Sequence, residues 1–189
     1  MLLKKNTLLT ILVIVIFIVV SITLGSIPSE TLISFVGSDN AFILMFALGT
    51  VAGLTTFTGI PYHLVLMSLA AGGINPIGLG VSTALGVMLG DSTMFLLSKK
   101  VQGSLSPKIM SIINNLYRRL ESHPALLNPS LFLYGLLSPF SNDFVVASLS
   151  IMGYSYQRII IPLALGNIFY NITLAYLGLY AYDSIVLMF

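Results

Sequence analysis

Two stretches of this chain, Ala41–Gly73 and Ala125–Gly153, are apolar from end to end except for one interruption near the middle of each. The first break reads Thr55-Thr56-Phe57-Thr58-Gly59-Ile60-Pro61 and the second Ser138-Pro139-Phe140-Ser141-Asn142-Asp143. A membrane-spanning helix needs about 20 apolar residues, and each half offers only about 10–15. Neither stretch divides into two full spans. Each is either one broken span or a helical hairpin that enters and leaves on the same face. Pro61 and Pro139 lack a backbone donor and disfavour helix at the residue before them, and Gly59 loosens the first break further.

Three other blocks are long enough to cross: Leu8–Leu24, Ile77–Ser98 and Ile159–Tyr182. Of the 189 residues, 57% are hydrophobic and 7% charged, too few charges to clothe a soluble domain. The chain therefore reads as one integral membrane protein. With no cysteine, disulfides and thiolate metal sites are excluded, and a formal charge of +2 gives no case for nucleic acid. Lys4 and Lys5 precede an apolar run longer than a signal peptide's, with no small-residue cleavage site after it, which predicts an uncleaved signal anchor over residues 1–25.

Charge placement chooses between the two readings of the broken blocks, because basic residues favour the cytoplasmic side. If both are hairpins, Lys4, Lys5, Lys99, Lys100, Lys108, Arg118, Arg119 and Arg158 all fall inside, and Glu30, Asp39 and Asp183 outside. If the Ala41–Gly73 block crossed once, the Lys99–Arg119 cluster would face out. The hairpin reading is therefore preferred. Between Lys99 and His123, Ser106-Pro107 is a helix start, and Ile109, Ile112, Ile113, Leu116 and Leu120 follow at helical spacing with Lys108, Arg118 and Arg119 on other faces. This predicts an amphipathic helix on the anionic inner leaflet or packed on the protein's own loops.

A shift of 80 positions lays Ala84-Leu85-Gly86 on Ala164-Leu165-Gly166, Ser68-Leu69 on Ser148-Leu149, Gly73 on Gly153, Asp91 on Asn171 and His63 on Asp143. One crossing separates the equivalent hairpins, so the copies are inverted, as in many secondary transporters. The expected fold is all-α: three spanning helices, two re-entrant hairpins in an inverted repeat and one interfacial helix. The repeats cover about 41–98 and 125–182, joined by the linker 99–123 within a membrane domain of 40–183.

Backbone freed from a helix at membrane depth must be buried or line a wet cavity. Thr56, Thr58, Tyr62, His63, Ser141, Asn142 and Asp143 can satisfy it or bind a polar ligand. Asp91 and Asp143 are the acidic residues expected at depth, where a carboxylate is costly to keep charged and is a natural proton carrier. Asp143 also stands where a helix N-cap belongs. His63 and Arg158 are the expected basic partners, although a lone His63 is more often a satisfied polar residue and Arg158 reads first as an anchor of the last span. Asn167 and Asn171, one turn apart, either line the crevice or join helices.

Taken in order, a Gly59-x-Pro61 turn, Gly72-Gly73-Ile74-Asn75-Pro76, Leu89-Gly90-Asp91, Ser138-Pro139-Phe140-Ser141-Asn142-Asp143, Met152-Gly153 and Leu165-Gly166-Asn167 resemble the DedA family, also called the SNARE-associated or VTT-domain family. The resemblance covers about residues 40–180. It implies two facing re-entrant hairpins and movement of lipids, polyprenyl or glycerophospholipid, across the bilayer, in bacteria with protons. It sets Asp91 on the family's Gly-Asp and Asp143 on the polar position of its second hairpin. The sequence departs from the bacterial pattern in two places. Threonines, Tyr62 and His63 replace a glutamate in the first hairpin, and Ser138, Ser141 and Asn142 replace arginines in the second. Both departures argue against a phosphate-binding arginine site and favour a scramblase-like or divergent member.

The expected function is a transporter of lipid or amphiphile headgroups. The alternative is a proton-coupled carrier of small solutes. An intramembrane enzyme has least support: Met88 stands where a Gly-x-Gly-Asp motif needs glycine, and no H-E-x-x-H or G-x-S-x-G occurs. No cofactor is expected. The expected location is the cytoplasmic membrane of a prokaryote, with the N-terminus and 99–123 inside, and homo-oligomers are left open.

Overall fold

In an apolar solvent a chain keeps its peptide groups bonded within itself, and a helix does so locally. The computed structural model describes residues 28–54, 62–102, 106–122, 124–138 and 141–186, with isolated positions 15, 19, 23 and 104. These fold into eight helices: α1 (Ser29–Val36), α2 (Ala41–Ala52), α3 (Tyr62–Ala71), α4 (Pro76–Gln102), α5 (Pro107–Glu121), α6 (Pro124–Leu137), α7 (Asp143–Ile151) and α8 (Tyr156–Val186). The expected anchor over 1–25 lies outside the described residues, apart from those isolated positions, as do Thr56, Thr58, Gly59, Pro61 and Pro139. Proline occupies the first position of α4, α5 and α6, where no donor is needed. Asn75 closes the start of α4 by accepting from the Gly78 amide at 2.9 Å.

Among the described residues α4 and α8 are long and apolar enough to cross a membrane. A third crossing exists only if α1 and α2, bent by 99°, count as one. The expected spans Ile77–Ser98 and Ile159–Tyr182 are both extended: α4 runs through Lys99 and Lys100, and α8 begins at Tyr156. At about 1.5 Å per residue, α2, α3, α6 and α7 reach roughly 14–21 Å, short of a hydrocarbon core of about 30 Å. The helix α1 was not anticipated; its Ile33 packs against Gly72 at the end of α3.

Contacts fix the helix directions. Ser82 donates to the Phe42 carbonyl at 2.5 Å, and Gly53 abuts Val87 and Gly90, so α2 runs with α4. Gly80 meets Ile172, while the Ser92 and Tyr156 hydroxyls lie 2.8 Å apart, so α8 runs against α4. His63 adjoins Tyr170 and Met67 adjoins Gly178, so α3 runs with α8 and against α2. Asn142 bonds Asp91 and Ser150 donates to the Phe95 carbonyl at 2.9 Å, so α7 runs with α4. Each short helix thus lies along one long helix, and each α3 or α7 crosses to the long helix of the other set.

The same atoms meet twice. The turn after α3 has Gly73 at φ +92°, its amide on the Ala70 carbonyl at 3.0 Å and the Ile74 amide on Leu69 at 3.2 Å. The turn after α7 has Gly153 at φ +95°, its amide on Ser150 at 3.0 Å and the Tyr154 amide on Leu149 at 3.1 Å. Both are left-handed glycine closures that satisfy the last helical carbonyls. One apolar core holds Leu66, Leu69, Ile74, Leu79 and Ala175. The other holds Val146, Leu149, Tyr154, Ile159 and Phe95, each 80 positions away from its counterpart. The pairing of α2 with α4 also recurs between α6 and α8. A Cβ on Gly86 would strike the Phe46 carbonyl oxygen, and one on Gly166 the Phe132 carbonyl oxygen. Outward, Leu85, Leu89 and Leu97 on α4 and Leu165, Phe169 and Leu177 on α8 are all about half exposed at equivalent places, a face suited to lipid.

The helix α5 touches the rest near its C-terminal end. Tyr117 packs on Tyr154 with ring centroids 5.1 Å apart, and Glu121 pairs with Arg158 at 3.3 Å. Ile112 on the same helix stays 56% exposed.

Gly86→Val and Gly166→Val each force backbone apart and should cost about 1–3 kcal/mol or more. Gly73→Ala meets no neighbour and should cost about 1 kcal/mol, through backbone strain alone. Thermal unfolding of the purified variants in detergent checks the ranking.

Candidate polar site between the two cores

Along α4 the polar side chain of Asp91 falls between the core residues Leu79 and Phe95. Along α8, Asn167, Tyr170 and Asn171 fall between Leu163 and Ala175. The two cores therefore flank a polar layer. Asp91, Asn142 and Asp143 are buried together to 6% exposure or less, and Asn171 is buried as deeply further along α8.

Asn142 immediately precedes α7, and its amide donates to Asp91 Oδ2 at 2.9 Å. This bond joins the second break to the long helix of the first set. Asp91 Oδ1 is buried and has no hydrogen-bond partner among the described residues. Asp143, next in sequence, is buried as fully as Asp91. Its Oδ1 accepts the Phe144 amide at 2.9 Å, so it helps to close the start of α7 as an N-terminal acid does. Ser141 accepts the Tyr134 hydroxyl on its carbonyl at 3.2 Å, which ties the break back to α6, and its own Oγ is buried without a described partner.

From the other side, α3 begins with Tyr62 and His63. Their ring centroids lie 3.9 Å apart with the planes tilted by 35°, and His63 meets Tyr170 edge-on at 5.7 Å, with its Nε2 3.4 Å from the Tyr170 hydroxyl. Tyr62 is in electrostatic reach of both Asp91 and Tyr170. Residues from α3, α4, α7 and α8 thus share one polar cluster.

One expected pairing is corrected. Of the two readings of Arg158, the partner of a buried aspartate is overturned, since the side chain is 55% exposed and pairs with Glu121; the anchor of the last span is left. Arg158 sits in the first turn of α8, where the C-terminal end of α5 reaches it. Of the two readings of Asn171, joining helices or lining a crevice, the first has no side-chain bond to another helix behind it among the described residues. The Asn171 amide turns back to the Asn167 carbonyl of its own helix at 2.8 Å, leaving Asn171 Oδ1 and Asn167 Nδ2 buried without described partners. His63 directs its ring to two tyrosines. Tyr170 was missed altogether. It stands one position before Asn171, as Gly90 stands before Asp91, and that register was the available signal.

No protein-family model, curated protein or solved structure matches this chain. Its chemistry must be read from the site itself. Among the described residues there is no cluster of three or more metal-ligating side chains. The cluster offers carboxylates, amides and aromatic rings in a sheltered layer.

Asn142→Leu removes the donor and leaves both Asp91 oxygens without a described partner, which should cost about 1–3 kcal/mol. Adding Asp91→Leu should restore part of that loss. A double-mutant cycle by denaturant unfolding in detergent measures the coupling.

Proposed function

We propose that this chain is an integral membrane transporter that passes the polar headgroups of lipids or related amphiphiles across the bilayer. The observation that carries the reading is the Asp91–Asn142 cluster, assembled between two apolar cores by the ends of two short helix pairs. A polar layer so placed is costly, and in membrane proteins such residues mark substrate or ion pathways.

In this reading α2–α3 and α6–α7 are re-entrant hairpins. Each leg is too short to cross, and the second leg returns the chain to the start of a long helix. They enter from opposite faces because α4 and α8 run in opposite directions, which makes the two sets an inverted repeat. Their breaks meet near mid-depth, where a headgroup can pass while its tails stay in lipid beside the exposed leucines of α4 and α8. With the basic residues inside, α4 starts outside and ends inside, and α5 lies on the inner leaflet of a cytoplasmic membrane. The resemblance to the DedA family points to the same fold and the same class of cargo.

One observation favours the second reading. Asp91 keeps an unpartnered buried oxygen, as a proton carrier would, so a proton-coupled carrier of small solutes is the alternative.

Two experiments test these statements. Cysteines at 39 and 75 should react with an impermeant reagent from outside, and those at 104 and 155 from inside; labelling of all four from one face would refute the topology. In liposomes the wild-type protein should speed the exchange of labelled lipid between leaflets, and Asp91→Asn and Asp143→Asn should slow it about tenfold, a barrier of about 1.4 kcal/mol. Full rates in both variants would remove the aspartates from the pathway. Solute uptake driven by a pH gradient, without lipid exchange, would favour the alternative.

A further inference from the structure

We infer that the polar cluster is a binding site for an ammonium group, so that the headgroups it passes are amine- or quaternary-ammonium-bearing ones. The inference rests on the transport reading for its cargo, and on the cluster's chemistry alone for its ligand.

Charge comes first. Asp91 and Asp143 are both buried, and Asn142, the neighbour of Asp143 in sequence, bonds Asp91 directly. The sequence has no lysine or arginine between Lys5 and Lys99, none between Arg119 and Arg158, and none after Arg158. Neither hairpin nor the facing part of either long helix therefore carries a lysine or arginine, and the imidazole of His63 is turned to Tyr62 and Tyr170. A bare phosphate placed here would meet two carboxylates and no guanidinium or ammonium. A cation would meet the reverse, and burying it beside a carboxylate offsets the cost of taking each from water.

Next is the open valence. Asn142 holds one oxygen of Asp91, and the other, Oδ1, is buried without a described partner. A buried acceptor left so is costly, and a ligand N–H or the positive shell of a methylated ammonium would satisfy it. Asn142 acts here as a positioning residue, fixing the carboxylate so that Oδ1 is presented to the ligand.

The third part is aromatic. Tyr62 lies tilted against His63, His63 meets Tyr170 edge-on, and Tyr62 is in electrostatic reach of Asp91. Ring faces attract ammonium ions, most strongly where water is excluded. Carboxylate and ring together select an organic ammonium over sodium, which needs a shell of oxygens. The two hairpins supply different halves, acid from α7 and rings from α3, so the site is complete only when both breaks meet.

The test uses the full chain. In liposomes, labelled phosphatidylcholine and phosphatidylethanolamine should exchange at least about tenfold faster than labelled phosphatidic acid. Tetramethylammonium chloride should slow that exchange and raise the melting temperature of the protein in nanodiscs, while sodium chloride at equal ionic strength should do neither. Asp91→Asn and Tyr62→Leu should abolish the preference; Tyr62→Phe, which keeps the ring and guards against a folding defect, should retain it. Equal rates for phosphatidic acid and phosphatidylcholine would overturn the ammonium site and leave lipid transport standing. Equal protection by sodium would also overturn it. Protection by tetramethylammonium with no lipid exchange would keep the site, assign it to free amines and remove the lipid reading.

Discussion

Close backbone contact at Gly86 and Gly166 is the constraint on which the arrangement depends. Each glycine lets a short helix lie so near a long one that any side chain would strike a carbonyl oxygen. Lipid tails are as apolar as leucine, so helices in a bilayer gain little from hydrophobic burial and rely on such approach. Gly49 and Gly135 supply the matching faces on α2 and α6. With four small residues at two seams, a helix of 12 or 14 residues is held firmly enough to end inside the molecule. Bulkier seams would push the breaks outward, and the polar layer would lose its walls.

From those seams the rest follows in order. Ending α2 and α6 beside the middles of α4 and α8 leaves helix-end peptide groups inside the molecule. Turning the chain back as α3 and α7 brings the starts of two helices to the same layer. A helix start carries free amides and a partial positive charge, which suits Asp143 bonded to the Phe144 amide. Crossing of α3 onto α8 and of α7 onto α4 then interlocks the two sets, so neither hairpin completes its environment alone. The Asn142–Asp91 bond is the polar form of that interlock, and Ser150 on the Phe95 carbonyl is its continuation toward one end.

Much of this was legible in the chain. Broken apolar blocks marked the short helices, and the shift of 80 matched the glycine turns at 73 and 153 that close α3 and α7. The shift could not reach the first legs, because the intervening breaks differ in length. Phe46 and Gly49 correspond to Phe132 and Gly135, 86 positions on, and only contacts with α4 and α8 reveal it. Asp91, Asn142 and Asp143 were found because polar residues stand out in apolar blocks. Their partners were not, since pairing depends on which helix crosses which. Arg158 could have faced the layer by charge alone, but the amphipathic helix brings Glu121 to it first. Tyr170 was invisible for the opposite reason: tyrosine is ordinary in a membrane span until a histidine from another helix meets it.

A fold repeated in shape is not repeated in chemistry. Where α4 has Asp91, α8 has Asn171; where α7 is led by Asn142-Asp143, α3 begins with Tyr62-His63. Had the copies been alike, a second set of carboxylates would face the first in a layer sheltered from water. Their mutual repulsion would add to the cost of burying each one. Replacing one set by an amide and rings keeps the layer polar without doubling its charge. It also gives the layer two unlike sides, with acid on one helix pair and aromatic surface on the other. Symmetry of backbone therefore sets where the layer lies, and asymmetry of side chains sets what it can hold.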